Sequence, residues 1–253
     1  LWLLNLFASH RMKPPMLITG PAGCGKTRLA LALKEILEMK CEEGIDTIVK
    51  SMEEGDKGED AFWVSINNNK VVIFDNFDTK IKWAGNAIEI AATDGMTERR
   101  KKYSNDDLVV LRANGSLILT ANNPQFVTEG QGGIPDRIIT INLEFNRSTS
   151  EDEALSYDIH KGRNQFMTWI ARTLAAALAD TKPVTDTVNR RHPEYGRFSI
   201  RCGRAFGDED GVIAALGSTE TEKALLPLRN DQIAKEVLAV LEGCEALYTR
   251  IMK

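Results

Sequence analysis

Short apolar runs alternate with longer stretches of helical period along the first 145 residues. Five runs read as strands: "PPMLITG" (14–20), "IDTIVKS" (45–51), "KVVIFD" (70–75), "SLILTAN" (116–122) and "RIITINLEF" (137–145). Between them, "KTRLALALKEILEMK" (26–40) carries apolar residues at helical spacing and a Lys-rich end. "EDAFWVSINN" follows a polar loop as a short helix, and "KWAGNAIEIAATDG" (82–95) is a helix stopped at Gly95. Strands alternating with helices predict an α/β fold: a parallel sheet covered by helices on both faces. One further segment, "TERRKKYSNDDLVVLR" (97–112), reads as two strands around a Ser-Asn-Asp-Asp turn, set just before the fourth strand of the sheet.

The texture changes after Arg147. "RNQFMTWIARTLAAALAD" (163–180), "PEYGRFSIRCGRAFG" (193–207) and "NDQIAKEVLAVLEGCEALYTRIMK" (230–253) are helical, which predicts an α/β domain over 1–147 and an all-α C-terminal region over 148–253. At the other end, "LWLLNLFASH" is too short to span a bilayer and lacks the marks of a signal peptide; it reads as a helix packed on the core. Because the chain starts at Leu1, it is expected to be a fragment of a longer protein.

The 253 residues are 43% hydrophobic and 27% charged, enough to bury a substantial core. A net charge of −4 means that any contact with nucleic acid is made by a local patch. Cys24, Cys41, Cys202 and Cys244 show no zinc spacing and read as reduced thiols of a cytoplasmic protein; no membrane association is expected.

The sharpest chemical signal is "GPAGCGKT" (20–27), which fits GxxxxGK[ST] directly after a strand and before a helix. Gly20, Pro21, Ala22, Gly23, Cys24 and Gly25 form a turn that aims backbone N–H groups inward at phosphate, aided by the positive end of the following helix. Lys26 supplies charge to the β- and γ-phosphates of ATP, and the Thr27 hydroxyl ligates Mg2+. Asp75 ends the third strand, where a carboxylate holds the same metal through water. In "LILTANNP" (117–124), Asn122 is the first choice for an amide that orients the attacking water, and Asn123 the second; Asn-Asn-Pro also favours a plain turn. Arg137, at the mouth of the fifth strand, is a candidate finger for a neighbouring copy's γ-phosphate, or else a local surface partner of Asp136 or a cap of the strand.

These pieces, together and in order over residues 14–145, resemble an AAA+ ATPase. "IFDNFDTK" followed by "SLILTANNP" is similar to the minichromosome-maintenance helicases. The two-stranded segment 97–112 resembles the pre-sensor hairpin of superfamily 3 viral helicases, and the whole is similar to helicase-like ATPases fused to primases in phages and mobile elements. The resemblance implies a homo-oligomeric ring, expected to be hexameric, with Arg99, Arg100, Lys101, Lys102 and Tyr103 turned to a central pore. There the cations track phosphates of single-stranded or forked DNA, and the tyrosine stacks on a base.

One position departs from the pattern. Asn76 stands where a water-activating Glu is expected, and an amide takes no proton from water. Three readings follow: Asn76 only positions water while Arg137 stabilises charge, Asp78 polarises the water instead, or the site binds ATP and rarely cleaves it. In the helical region, Arg197, Arg201 and Arg204 share a helix face and read as an exposed stripe or a phosphate contact. His160 and His192 show no evident partners. The function expected is an ATP-driven DNA helicase or translocase, the alternative an ATP-bound regulatory switch or scaffold.

Overall fold

The computed structural model of the chain describes residues 1–8, 13–37, 49–77, 80–100, 107–122, 133–145, 152–185 and 191–225, with isolated positions between 233 and 241. Its elements follow as α1 (Trp2–Leu6), β1 (Met16–Thr19), α2 (Lys26–Leu37), β2 (Val49–Ser51), α3 (Asp56–Asn68), β3 (Val71–Asp75) and α4 (Lys82–Ala92). Then come β4 (Met96–Arg100), β5 (Leu108–Arg112), β6 (Ser116–Ala121), α5 (Ile134–Arg137), β7 (Ile139–Asn142), α6 (Asp152–Ala179), α7 (Pro193–Phe206) and α8 (Glu209–Leu225).

Five strands form one sheet in the order β2-β3-β6-β1-β7, and every pairing is parallel. Strand alternation then sorts the core into two layers. Leu17, Val72, Phe74, Leu117 and Leu119 face one side, where Phe62, Trp63 and Ile66 of α3 and Ala84, Ala87 and Ile88 of α4 cover them. Phe62 stacks on Phe74 with ring centroids 5.3 Å apart. Met16, Ile18, Val71, Ile73, Ile118 and Ile139 face the other side, against Trp2, Ala30, Tyr195, Ile200, Val212 and Leu216. The parallel α/β fold expected from the apolar runs is therefore the one observed.

The helical region is not an outlying module: α7 and α8 contribute side chains to the second layer of the sheet's own core. Side-chain bonds reinforce the docking. The Asn5 amide of α1 donates to Ser199 Oγ of α7 at 2.9 Å, and Arg163 Nε of α6 donates to the Ile36 carbonyl of α2 at 2.9 Å. The short N-terminal helix packs as anticipated, with Trp2 and Leu4 buried and the Trp2 indole donating to the Pro14 carbonyl at 2.8 Å.

Two helices were not anticipated. α8 carries two glycines and a Ser-Thr-Glu-Thr-Glu run, so its apolar period is faint; among the described residues, only Val212 and Leu216 of this helix, one turn apart, are buried hydrophobics. The single turn α5 hides within a Gly-Gly-Ile-Pro-Asp stretch that reads as loop. The helix expected at 163–180 begins earlier, at Asp152. The helix expected at 230–253 lies mostly outside the described residues; the isolated positions given there are helical. Among the described residues, no helix is long and apolar enough to cross a membrane.

Arg204 is an internal staple. It donates to Glu209 at 2.8 Å and to Asp180 at 3.2 Å, and also meets the carbonyls of Lys182 and Pro183, closing the α6–α7 connection onto the start of α8. The exposed stripe expected at 197, 201 and 204 therefore reduces to Arg197, since Arg201 is only partly exposed and Arg204 is bonded.

Because Leu216 belongs to the sheet's core, Leu216→Ala is expected to cost about 2–4 kcal/mol. Urea unfolding followed by far-UV circular dichroism and by tryptophan fluorescence should give one shared transition at a lower midpoint. Two separate transitions, with only one moved, would mean that the helices fold apart from the sheet.

Candidate functional site: the carboxyl edge of the sheet

β6 lies between β1 and β3, with Thr19 beside Ala121 and Phe74 beside Leu119. The turn after β1, the carboxylate ending β3 and the amide after β6 therefore emerge side by side at one edge. Crevices at such edges are where open α/β sheets bind ligands.

The turn after β1 is built as its glycines predict. Gly20, Gly23 and Gly25 have φ of 149, 80 and 90°. Gly20 is also held by proximity: a Cβ there would lie 2.4 Å from the Leu143 carbonyl oxygen. Pro21, Ala22 and Cys24 complete the turn. Lys26 opens α2, and its ammonium donates to the carbonyls of Gly20 and Pro21 at 2.9 and 2.7 Å. The lysine thus lies folded across the mouth of its own turn, only 9% exposed.

Thr27 and Asp75, expected to share a metal, do meet: Thr27 Oγ1 donates to Asp75 Oδ1 at 2.8 Å. A third residue joins them that the sequence reading passed over. Thr120 of β6 donates its hydroxyl to the same Asp75 oxygen and accepts the backbone N–H of Asn76 at 3.0 Å. Its signal was a hydroxyl inside an apolar strand, where a buried polar group needs partners. The donor set of hydroxyl and carboxylate oxygens suits a hard divalent cation such as Mg2+.

Asn76 stands in left-handed backbone at φ 53°, with its side chain exposed. Asn adopts that region more readily than longer side chains, for which it costs about 1–2 kcal/mol. Asn122 follows the end of β6 and is exposed toward the same edge. Asp78 and Asn123 lie outside the described residues.

Arg137 lies elsewhere. It closes α5 immediately before β7, whose first residue, Ile139, pairs with Met16 and donates its N–H to the Pro15 carbonyl at 2.8 Å. That is the amino edge of the sheet, about 13 Å along the strand from the phosphate turn. The guanidinium bonds Glu89 of α4 at 3.0 Å and the Gly133 carbonyl at 2.9 Å, while its Nε–H has no acceptor among the described residues. A Cβ at Gly133 would strike it, at 2.2 Å from Nη1. The local pair with Asp136 is not formed; Asp136 lies 3.9 Å from Arg191. Within the single chain the guanidinium is thus held by Glu89, a partly exposed carboxylate of α4.

His192, expected to be without partners, is also corrected. It is 1% exposed, and its Nε2–H donates to the Arg137 carbonyl at 3.2 Å, linking α7 to α5. Burial holds its pKa down at about 4, against an ordinary 6.5. A second link reaches the end of β1, just before the glycine turn. Thr19 donates to Asn142 Oδ1, and the Asn142 amide donates to Glu222 of α8 at 3.1 Å.

The two-stranded segment before β6 is the hairpin that was expected, β4 against β5 with Met96 opposite Arg112. Arg99 is not a free cation: it pairs with Glu59, and with Asp60 at 3.5 Å, anchoring the ribbon to α3. The Arg99 guanidinium is thus already paired with two carboxylates of its own chain. The side chain of Arg100 is undescribed, and Lys101, Lys102 and Tyr103 lie outside the described residues.

Neither a protein-family model nor a curated protein matches the chain. Among solved structures, it is similar to the apo A form of the NrS-1 C-terminal region (15% identity, TM-score 0.40, covering 67% of this chain and 39% of that one). It is also similar to the SCCmec type IV Cch active helicase (14% identity, TM-score 0.46, 90% of this chain and 45% of that one). The chain thus spans less than half the length of either. The overlap is partial in both, and neither protein's activity carries over on it.

Two outcomes are expected. Thr120→Val removes one donor to Asp75 and one acceptor for Asn76, and should lower stability by about 1–3 kcal/mol, read from urea unfolding. For His192, the unfolded chain takes up a proton between pH 6.5 and 4 that the native chain does not, so stability falls as pH drops through that window. The unfolding midpoint should be lower at pH 5 than at pH 7, and His192→Gln should reduce that difference. An undiminished difference in the variant would exclude His192 as its source.

Proposed function

We propose that the chain is the motor part of an ATP-driven DNA helicase or translocase that works as a ring in phage or mobile-element replication. The observation that carries this reading is the gathering of Lys26, Thr27, Asp75 and Asn122 at one sheet edge, with an antiparallel ribbon inserted directly before the strand that bears Asn122.

In this reading the turn 20–27 binds the triphosphate. Lys26 leaves the Gly20 and Pro21 carbonyls for the β- and γ-phosphates, exchanging neutral acceptors for charged ones. Thr27 and Asp75 hold Mg2+, which supplies neutralisation of charge developing on the phosphates. Thr120 fixes the Asp75 carboxylate, and Asn122 orients the attacking water, with Asn76 beside it. Phosphoryl transfer needs positioning and charge stabilisation more than proton abstraction, so an amide at position 76 is compatible with turnover.

Arg137 cannot serve the nucleotide of its own chain, because it stands at the opposite edge of the sheet. Any role as a finger is in trans, on a neighbour in a homo-oligomeric ring, expected to be hexameric, and requires it to exchange Glu89 for phosphate. The ribbon's undescribed tip, with Lys101, Lys102 and Tyr103, is proposed to contact single-stranded or forked DNA, and a primase domain is proposed for the longer protein. The Arg137–Glu89 pair also favours the second reading, an ATP-bound switch or scaffold whose hydrolysis stays slow until assembly.

Lys26→Ala should lower DNA-stimulated ATP hydrolysis at least 100-fold. Arg137→Ala should do nearly the same, and an equimolar mixture of the two variants should recover activity, since each supplies what the other lacks. Wild-type protein that binds ATP yet releases no phosphate with DNA present would favour the switch. An Arg137→Ala variant as active as wild type would remove the finger.

A further inference from the structure

We propose that Phe145 is the platform on which the base of the bound nucleotide stacks. The proposal rests on the reading of 20–27 as a triphosphate site.

Three observations place the ring. Phe145 is 64% exposed, so a face of its ring is open to a ligand. Its chain is pinned to the phosphate turn: the Leu143 N–H donates to the Thr19 carbonyl at 2.7 Å, and the Leu143 carbonyl lies against Gly20. Two residues on, Phe145 Cε2 comes within 4.0 Å of the position a Cβ would take on Gly23. The ring therefore flanks the turn itself.

The direction of the nucleotide follows from the strand order. Thr27 meets Asp75 on the β3 and β6 side of β1, so the metal and the γ-phosphate belong to that side. With the β-phosphate in the turn, the α-phosphate and nucleoside leave toward the opposite side. That side is β7, the strand that leads into Phe145. An exposed aromatic ring there offers a face to a flat base, and its exposed apolar surface is covered only when a base arrives. Stacking tolerates any base because each has a π-face. Phe145 therefore adds affinity without imposing a choice between adenine and guanine.

The test is equilibrium binding to the full chain of MgATP, MgGTP and inorganic tripolyphosphate, each by competition against a fluorescent nucleotide. Phe145→Ala should weaken ATP and GTP about 10- to 100-fold and leave tripolyphosphate unchanged, while Phe145→Trp should keep nucleotide affinity. Lys26→Ala should weaken all three. If Phe145→Ala binds ATP as wild type does while Lys26→Ala fails, the platform is refuted and the phosphate site stands. If Phe145→Ala loses tripolyphosphate as well, the ring only supports the turn, and the proposal fails. If wild-type protein binds neither nucleotide nor tripolyphosphate, the phosphate site itself is refuted.

Discussion

Hydrogen bonding of β6 to β1 on one side and β3 on the other is the constraint from which the site follows. Parallel strands in register deliver their carboxyl ends to a common edge, so three segments far apart in sequence bring Lys26, Asp75 and Asn122 to the same side of the sheet. Thr120 shows how closely the register matters. It sits inside the central strand, yet its hydroxyl reaches Asp75 on the neighbouring strand and holds the backbone of Asn76. A slip of one residue would turn that hydroxyl to the opposite layer of the core and leave the carboxylate without its second donor.

Several polar groups around the edge are tied to one another. Lys26 is bonded to its own turn, Thr27 to Asp75, Thr19 to Asn142 and Asn142 to Glu222. For the buried Lys26 and Thr19, such a tie satisfies a group that burial would otherwise penalise. At the amino edge, Arg137 likewise rests on Glu89 and the Gly133 carbonyl.

The helical region belongs to this arrangement rather than standing beside it. α8 bonds β7 through Glu222, and α7 holds the Arg137 backbone through His192. Both helices also bury apolar side chains against the second face of the sheet. Displacement of either helix is thus coupled to the segment before the phosphate turn and to the segment that carries Arg137.

The sequence by itself determined the parallel α/β fold, the glycine turn after β1, the carboxylate at 75 and the ribbon before β6. Each is a local pattern: an unbroken apolar run, a glycine spacing, or two strand-like segments around a polar turn. Tertiary structure decided the rest, because the deciding partners are remote in the chain. Nothing near Thr120 announces that it faces Asp75, and nothing in Gly-Gly-Ile-Pro-Asp-Arg shows that Glu89 waits for the arginine. Arg99, Arg204 and His192 look alike as isolated polar residues, and only packing distinguishes a ribbon anchor, a helix staple and a buried donor. Phe145 is the converse case. It reads as the last apolar residue of a strand, and only the fold leaves it uncovered beside the turn, because β7 ends at Asn142 and the chain runs on along the phosphate site.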